Sequence, residues 1–199
     1  MLRRKLAMRY LLDILQAAGI GSATGIRPFL PALAAGLLAR ADVGVDFEGT
    51  AFAFLESPIF LAALIVAMAA SIAVARYRAD DTRLISALSG IGIGLGALLG
   101  AGSVDDRFSV WWPGLLAGGL SALLASAATV ALIARVRNRL DADARAALPV
   151  YEEGSGLVLA AACILVPPIA ILAIGFFVWL LIGSRRRGQE KYAGLRILR

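Results

Sequence analysis

Leu157-Val158-Leu159-Ala160-Ala161-Ala162-Cys163-Ile164-Leu165-Val166-Pro167-Pro168-Ile169-Ala170-Ile171-Leu172 is the stretch on which the fold turns. It forms the middle of an apolar segment, residues 154–182, with two prolines at its centre. Each half, 154–166 or 168–182, is too short to cross a hydrocarbon core, which needs about 20 helical residues. Each is long enough to reach the middle and return. The segment reads as a re-entrant helical hairpin; the alternative is one kinked, tilted crossing.

Charge supports the hairpin. Five single crossings with the N-terminus inside divide the basic residues eleven to eight. Making the first segment re-entrant instead gives twelve to seven. Turning the last segment back puts seventeen of the twenty Lys and Arg residues on one side and leaves Arg27 in the membrane. Positive-inside asymmetry favours that arrangement, with both termini cytoplasmic.

The 199 residues are 60% hydrophobic and 17% charged, with a mean hydropathy of +0.81. A soluble domain is about 45–50% apolar and about 25% charged. The chain therefore reads as an all-α integral membrane protein, one transmembrane domain over 1–199, with about five hydrophobic segments. Its net charge of +6 sits beside apolar spans, so the lipid bilayer, not nucleic acid, is the implied partner. The longest hydrophilic loop, 135–153, is too short for a soluble catalytic domain.

Histidine is absent and Cys163 is the one cysteine. An internal disulfide, a Cys/His metal site within one subunit, and serine-histidine or cysteine-histidine catalysis are thereby excluded. No catalytic residue, metal or cofactor is assigned. Eighteen Arg against two Lys, with abundant Ala and Gly, point to a GC-rich bacterial genome and thus a bacterial inner membrane. The basic start, Met1-Leu2-Arg3-Arg4-Lys5, is followed by Asp13 and Arg27 and by no good small-x-small cleavage site. It reads as a retained first segment.

That segment, 6–38, is interrupted by Gly21-Ser22-Ala23-Thr24-Gly25-Ile26-Arg27-Pro28. Segment two begins with the cap-and-proline pair Ser57-Pro58 and runs to 75. Segment three covers 84–101. Segment four opens on the interfacial Trp111-Trp112-Pro113 and runs to 134. Gly92, Gly96 and Gly100 make a bare stripe on segment three, and Gly114, Gly118, Ala122 and Ser126 another on segment four. Such stripes admit close helix approach, within one chain or between copies of a homo-oligomer. The run 90–96 resembles a dinucleotide loop but lacks the strand–turn–helix setting, so it reads as packing.

The two breaks carry the candidate chemistry. A half-helix starting near Arg27 holds Pro28 and Pro31 in its first turn, where no helical partner is lost. Gly21 and Gly25 permit the turn, while Ser22 and Thr24 offer hydroxyls to freed backbone. The positive helix end and the Arg27 guanidinium together form an anion-attracting spot. Alternatively, Arg27 pairs with a carboxylate of another segment and holds the bundle together. Pro168 starts a second half-helix facing the interior, a pattern of many secondary transporters. Asp13 is spaced to pair with Arg9, and Glu56 precedes segment two. Glu152 and Glu153 open segment five, as helix-start carboxylates or as proton carriers, cation ligands or partners of Arg27. The substrate- or ion-binding candidates are Arg27, Ser22, Thr24, Gly25, Pro28, Pro168, Glu152 and Glu153.

The stretch from Ala18 through Gly21-Ser22-Ala23-Thr24-Gly25-Ile26-Arg27-Pro28-Phe29-Leu30-Pro31 resembles the N-terminal signature of an uncharacterised bacterial membrane family, domain of unknown function 4126. The later Gly118-Gly119-Leu120-Ser121-Ala122, then Arg135-Val136-Arg137 and Glu152-Glu153, are similar to its C-terminal half. After segment two, Arg76-Tyr77-Arg78-Ala79-Asp80-Asp81 stands where the family carries an acidic residue and an Asp-Lys-x-Pro stretch. The resemblance implies a membrane fold and no activity. The favoured function is a small-solute or ion transporter or channel, with an anion among the candidate cargoes and its pathway at the breaks near Arg27 and Pro167-Pro168. The alternatives are a non-transporting scaffold or assembly factor and a lipid-modifying enzyme.

Overall fold

The computed structural model describes residues 2–78, 81–108, 110–137 and 139–193. Among them run seven α-helices: α1 (Leu2–Ile26), α2 (Phe29–Arg40), α3 (Pro58–Arg78), α4 (Thr82–Phe108), α5 (Trp112–Arg137), α6 (Ala142–Leu165) and α7 (Ile169–Ala193), with a 3-10 turn, Ala53–Glu56, before α3. Four spans, Pro58–Ala75, Thr82–Phe108, Trp112–Arg137 and Asp143–Leu165, are long and apolar enough to cross a membrane; Phe29–Arg40 and Ile169–Gly183 are shorter. The chain is an all-helical, multi-pass membrane protein.

The break in the first segment is narrower than the glycines suggest. α1 continues unbroken through Gly21 and Gly25 to Ile26. It stops because Pro28, lacking an N–H, cannot donate to the Thr24 carbonyl. Pro28 then caps α2, and Pro31 falls in the first turn, where no helical donor is needed. The glycines serve packing instead of turning. A Cβ on Gly21 would strike the Gly118 carbonyl, and one on Gly25 the Ala122 carbonyl.

Neighbour contacts fix the directions. Tyr10 meets Phe108 edge-on at 4.8 Å, whereas Thr24 lies against Gly92 and Gly96. α1 is therefore antiparallel to α4 and parallel to α5, and its end sits level with the middle of α5. The two small-residue stripes face each other, Gly96 on Gly118 and Gly100 on Gly114, with α1 closing over them. They are consumed inside the chain, so an assembly of copies would use another face. α4 extends past the expected 101 through Asp105, Asp106 and Arg107. Asp13 pairs with Arg107 at 2.9 Å, not with Arg9, because α1 turns it toward α4; Arg9 is exposed.

α6 begins at Ala142, so most of the expected hydrophilic loop 135–153 is helix. Asp141 caps it, accepting the Ala144 N–H at 2.8 Å. Arg145 Nε donates to the carbonyls of Arg137 and Leu140 at the end of α5. Glu152 and Glu153 are consequently mid-helix residues, not helix-start carboxylates.

The chain reverses twice. α2 folds back beside α1, and Gln16 reaches the Gly44 carbonyl beyond it at 2.8 Å. At Val166-Pro167-Pro168 the chain turns again, so that Leu148, Tyr151 and Leu159 of α6 line one groove with Ala173, Phe176 and Leu180 of α7. The last segment does turn back, but its first arm is not the short 154–166: Asp143–Leu165 is long and apolar enough to cross by itself, so the length argument for a re-entrant hairpin does not hold.

Candidate functional site

The first reversal is built around Arg27. Its Nε donates to the Glu152 carboxylate of α6, and both side chains are largely buried, at 15% and 10% exposure. One turn further on, the Leu30 N–H, an unpartnered donor of the α2 start, is taken by Glu153 Oε2 at 3.1 Å. Glu153 thus does from α6 what a cap residue would do locally. The guanidinium and the positive end of α2 each meet a carboxylate. The anion-attracting spot read from the sequence is already occupied by the protein's own anions, and the counter-ion alternative for Arg27 is the one this geometry displays.

Beside the pair lies a cavity of about 270 Å³. Gly25, Pro28, Arg27 and Glu152 form its inner end; Ser89, Ser126, Thr129 and Arg137 add polar groups to its wall. Thr24 is fully buried and donates to the Gly21 carbonyl at 2.9 Å within the intact helix. Ser22 is fully buried too, and its hydroxyl has no hydrogen-bond partner among the described residues. Neither hydroxyl reaches the cavity wall.

A family model described as a domain of unknown function (DUF4126) matches residues 14–187. The chain belongs to that family. No curated protein and no solved structure matches it.

In this DUF4126 chain the two breaks do not converge. From Glu152 to Val166 the α6 axis rises about 20 Å, so Pro168 lies well away from Arg27 and outside its cavity. The second break has its own fastening, which sequence reading missed. Pro168 cannot donate to the Ile164 carbonyl four residues back. Gln16 Nε2 fills that vacancy at 3.1 Å while also holding Gly44. A glutamine at i+3 from Asp13, inside an otherwise apolar run, is the signal that marked it. Ser126 and Thr129, three apart on α5, were legible as one hydroxyl-bearing face; Ser126 was read only as a small residue. Glu56 sits near the opposite end of the bundle, by the start of α3. There partial burial, then Asp46 and Glu48, push its carboxyl above the ordinary range. No group of His, Cys, Asp and Glu among the described residues is arranged to hold a metal.

Proposed function

We propose that this chain is a transporter or channel for a small solute or ion, with its pathway in the cavity that ends on Arg27. The carrying observation is that cavity: about 270 Å³, with Ser89, Ser126 and Thr129 on a mainly apolar wall, running to an ion pair at mid-height of the bundle. A bilayer tolerates buried charge where protein or a water-filled hollow shelters it. A small anion is the favoured cargo class, because a guanidinium has five N–H donors and Glu152 is bonded here to the one on Nε. Pro167-Pro168 stands outside the pathway in this reading.

The same reading makes the α1–α2 hairpin re-entrant and turns the cavity toward the cytoplasm of a bacterial cell. Arg83, Arg135, Arg139 and Arg145 lie at the helix junctions of that end, and α7 runs toward it carrying Arg185, Arg186, Arg187 and Lys191. Arg40, Arg107 and the start of α1 supply fewer charges at the other end. The end of α7 is then cytoplasmic and the start of α1 faces the opposite side, in place of both termini inside.

A scaffold is the second reading. It is favoured by the double attachment of Glu152 and Glu153, which fastens the first hairpin without needing a cargo.

Thr129→Trp separates the two, since it fills the cavity and leaves the ion pair alone. The experiment reads chloride, phosphate and acetate flux from proteoliposomes, with Val158→Trp on the exposed face of α6 as control. The pathway reading expects flux in the wild type and in Val158→Trp and its loss in Thr129→Trp. Equal flux in wild type and Thr129→Trp removes the pathway; a folded wild type with none of these fluxes favours the scaffold.

A further inference from the structure

The Arg27 cavity shares a wall with a second hollow. Ile26, Thr129, Ile133 and Glu152 face both. The second is a groove of about 610 Å³ lined by α5, α6 and α7; α6 packs mainly on α1 and α2, and α7 on α5 and α1, with little contact between the two. Its floor holds the buried Ala173 and Phe177, and its rim the exposed Tyr151, Ser155 and Phe176. The Ser155 hydroxyl turns inward to the Glu152 carbonyl at 2.9 Å, which leaves the rim apolar. A groove of this kind on the outside of a membrane protein meets acyl chains. This one differs from ordinary lipid-facing surface because its inner side adjoins charge, with guanidiniums Arg27 and Arg137 and the single carboxylate Glu152 lining the adjoining cavity.

We infer that the two hollows form one site for an anionic lipid. One acyl chain lies in the α6–α7 groove, and the headgroup reaches past Glu152 into the cavity. The chain is held by van der Waals fit to the groove, because inside a bilayer no water is displaced from apolar surface. Hydroxyls of Ser126 and Thr129 and the guanidinium of Arg27 receive the phosphate, for which a planar fork of donors suits better than a point charge. The inference rests on the cavity being the binding site, as proposed above, and names the class of molecule it takes.

The test uses the full chain in phosphatidylcholine vesicles. These are doped with phosphatidic acid or phosphatidylcholine bearing a photoactivatable diazirine at the end of one acyl chain. Irradiation and peptide mapping read where the chain lies. The expected label falls on the groove faces of α6 and α7 and is stronger for phosphatidic acid. It is lost in Ser155→Trp, which fills the groove from an exposed position, and kept in Val158→Trp, which lies outside the groove. Arg27→Gln should abolish the headgroup preference and keep residual chain labelling. Equal labelling by the two headgroups overturns the inference, as does equal labelling of Ser155→Trp and wild type. Ion flux lost in Thr129→Trp with no headgroup preference keeps the ion pathway and removes the lipid. Headgroup-selective groove labelling with no ion flux in any version keeps the lipid site and removes the ion pathway.

Discussion

At Arg27-Pro28 and at Pro167-Pro168 the chain reverses beside a proline, and the two turns are fastened by opposite means. The first is ionic: Arg27 meets Glu152, and Glu153 takes the Leu30 N–H. The second is neutral: one Gln16 amide serves the Ile164 carbonyl and the loop beyond α2. Surroundings explain the choice. The ionic turn borders a cavity whose wall also carries Ser89, Ser126 and Thr129. The neutral turn is tight on its inner side, where Gly19 presses against Cys163 and Ala170, while Leu165, Val166 and Pro168 are exposed on its outer side. A charge there would be left without solvent, and that is the expensive case in a bilayer. The two turns leave opposite groups over: an N–H at the start of α2, which a carboxylate accepts, and a carbonyl at the end of α6, to which an amide donates.

Removing one ion should give the largest effect. Arg27→Met leaves Glu152 buried and unpaired and should cost about 3–5 kcal/mol, read as a lowered unfolding midpoint in detergent. The double variant Arg27→Met/Glu152→Met should regain most of that, because the uncompensated charge goes with its partner. Equal midpoints for single and double variants mean the pair does not hold the first turn.

Gln16→Leu attacks the neutral turn. Two carbonyls lose a donor, and the expected loss is about 1–3 kcal/mol. The contrast sharpens with salt and pH, since this loss should be the same at pH 5 and pH 8. A pH-dependent loss would show that Asp13, three residues earlier, shares the fastening.

Glu153→Gln is the gentlest probe. The amide oxygen can still accept the Leu30 N–H, so only the charge at the α2 start is lost, about 0.3–1 kcal/mol. A change as large as that of Arg27→Met would make Glu153, not Glu152, the main anchor of the first turn.

The long apolar helices were legible because hydropathy and rise per residue speak directly to membrane thickness, as for Pro58–Ala75. Both breaks were legible through proline. The use of Gly21 and Gly25 was not, because glycine serves a turn and a close contact equally well, and only the position of α5 tells which. Glu152 and Glu153 looked like the edge of a loop because Pro149 and three charges precede them after residue 140. Their true setting depends on Arg27, 125 positions away for Glu152. Charge parity pointed to a single reversal because it weighs one altered crossing at a time. A second reversal at Arg27 changes the sum in a way that no single segment reveals.

The central position of α1 carries a consequence for synthesis. It makes its main contacts with α2, α4, α5, α6 and α7, yet it is not among the helices apolar enough to cross a membrane alone. Asp13 and Arg27 each disfavour insertion by about 2.5–3.5 kcal/mol at a helix centre, and their partners Arg107 and Glu152 emerge from the ribosome much later. α1 is therefore made before the residues that neutralise Asp13 and Arg27. Asp13 waits for α4 and Arg27 for α6 before either charge meets its partner.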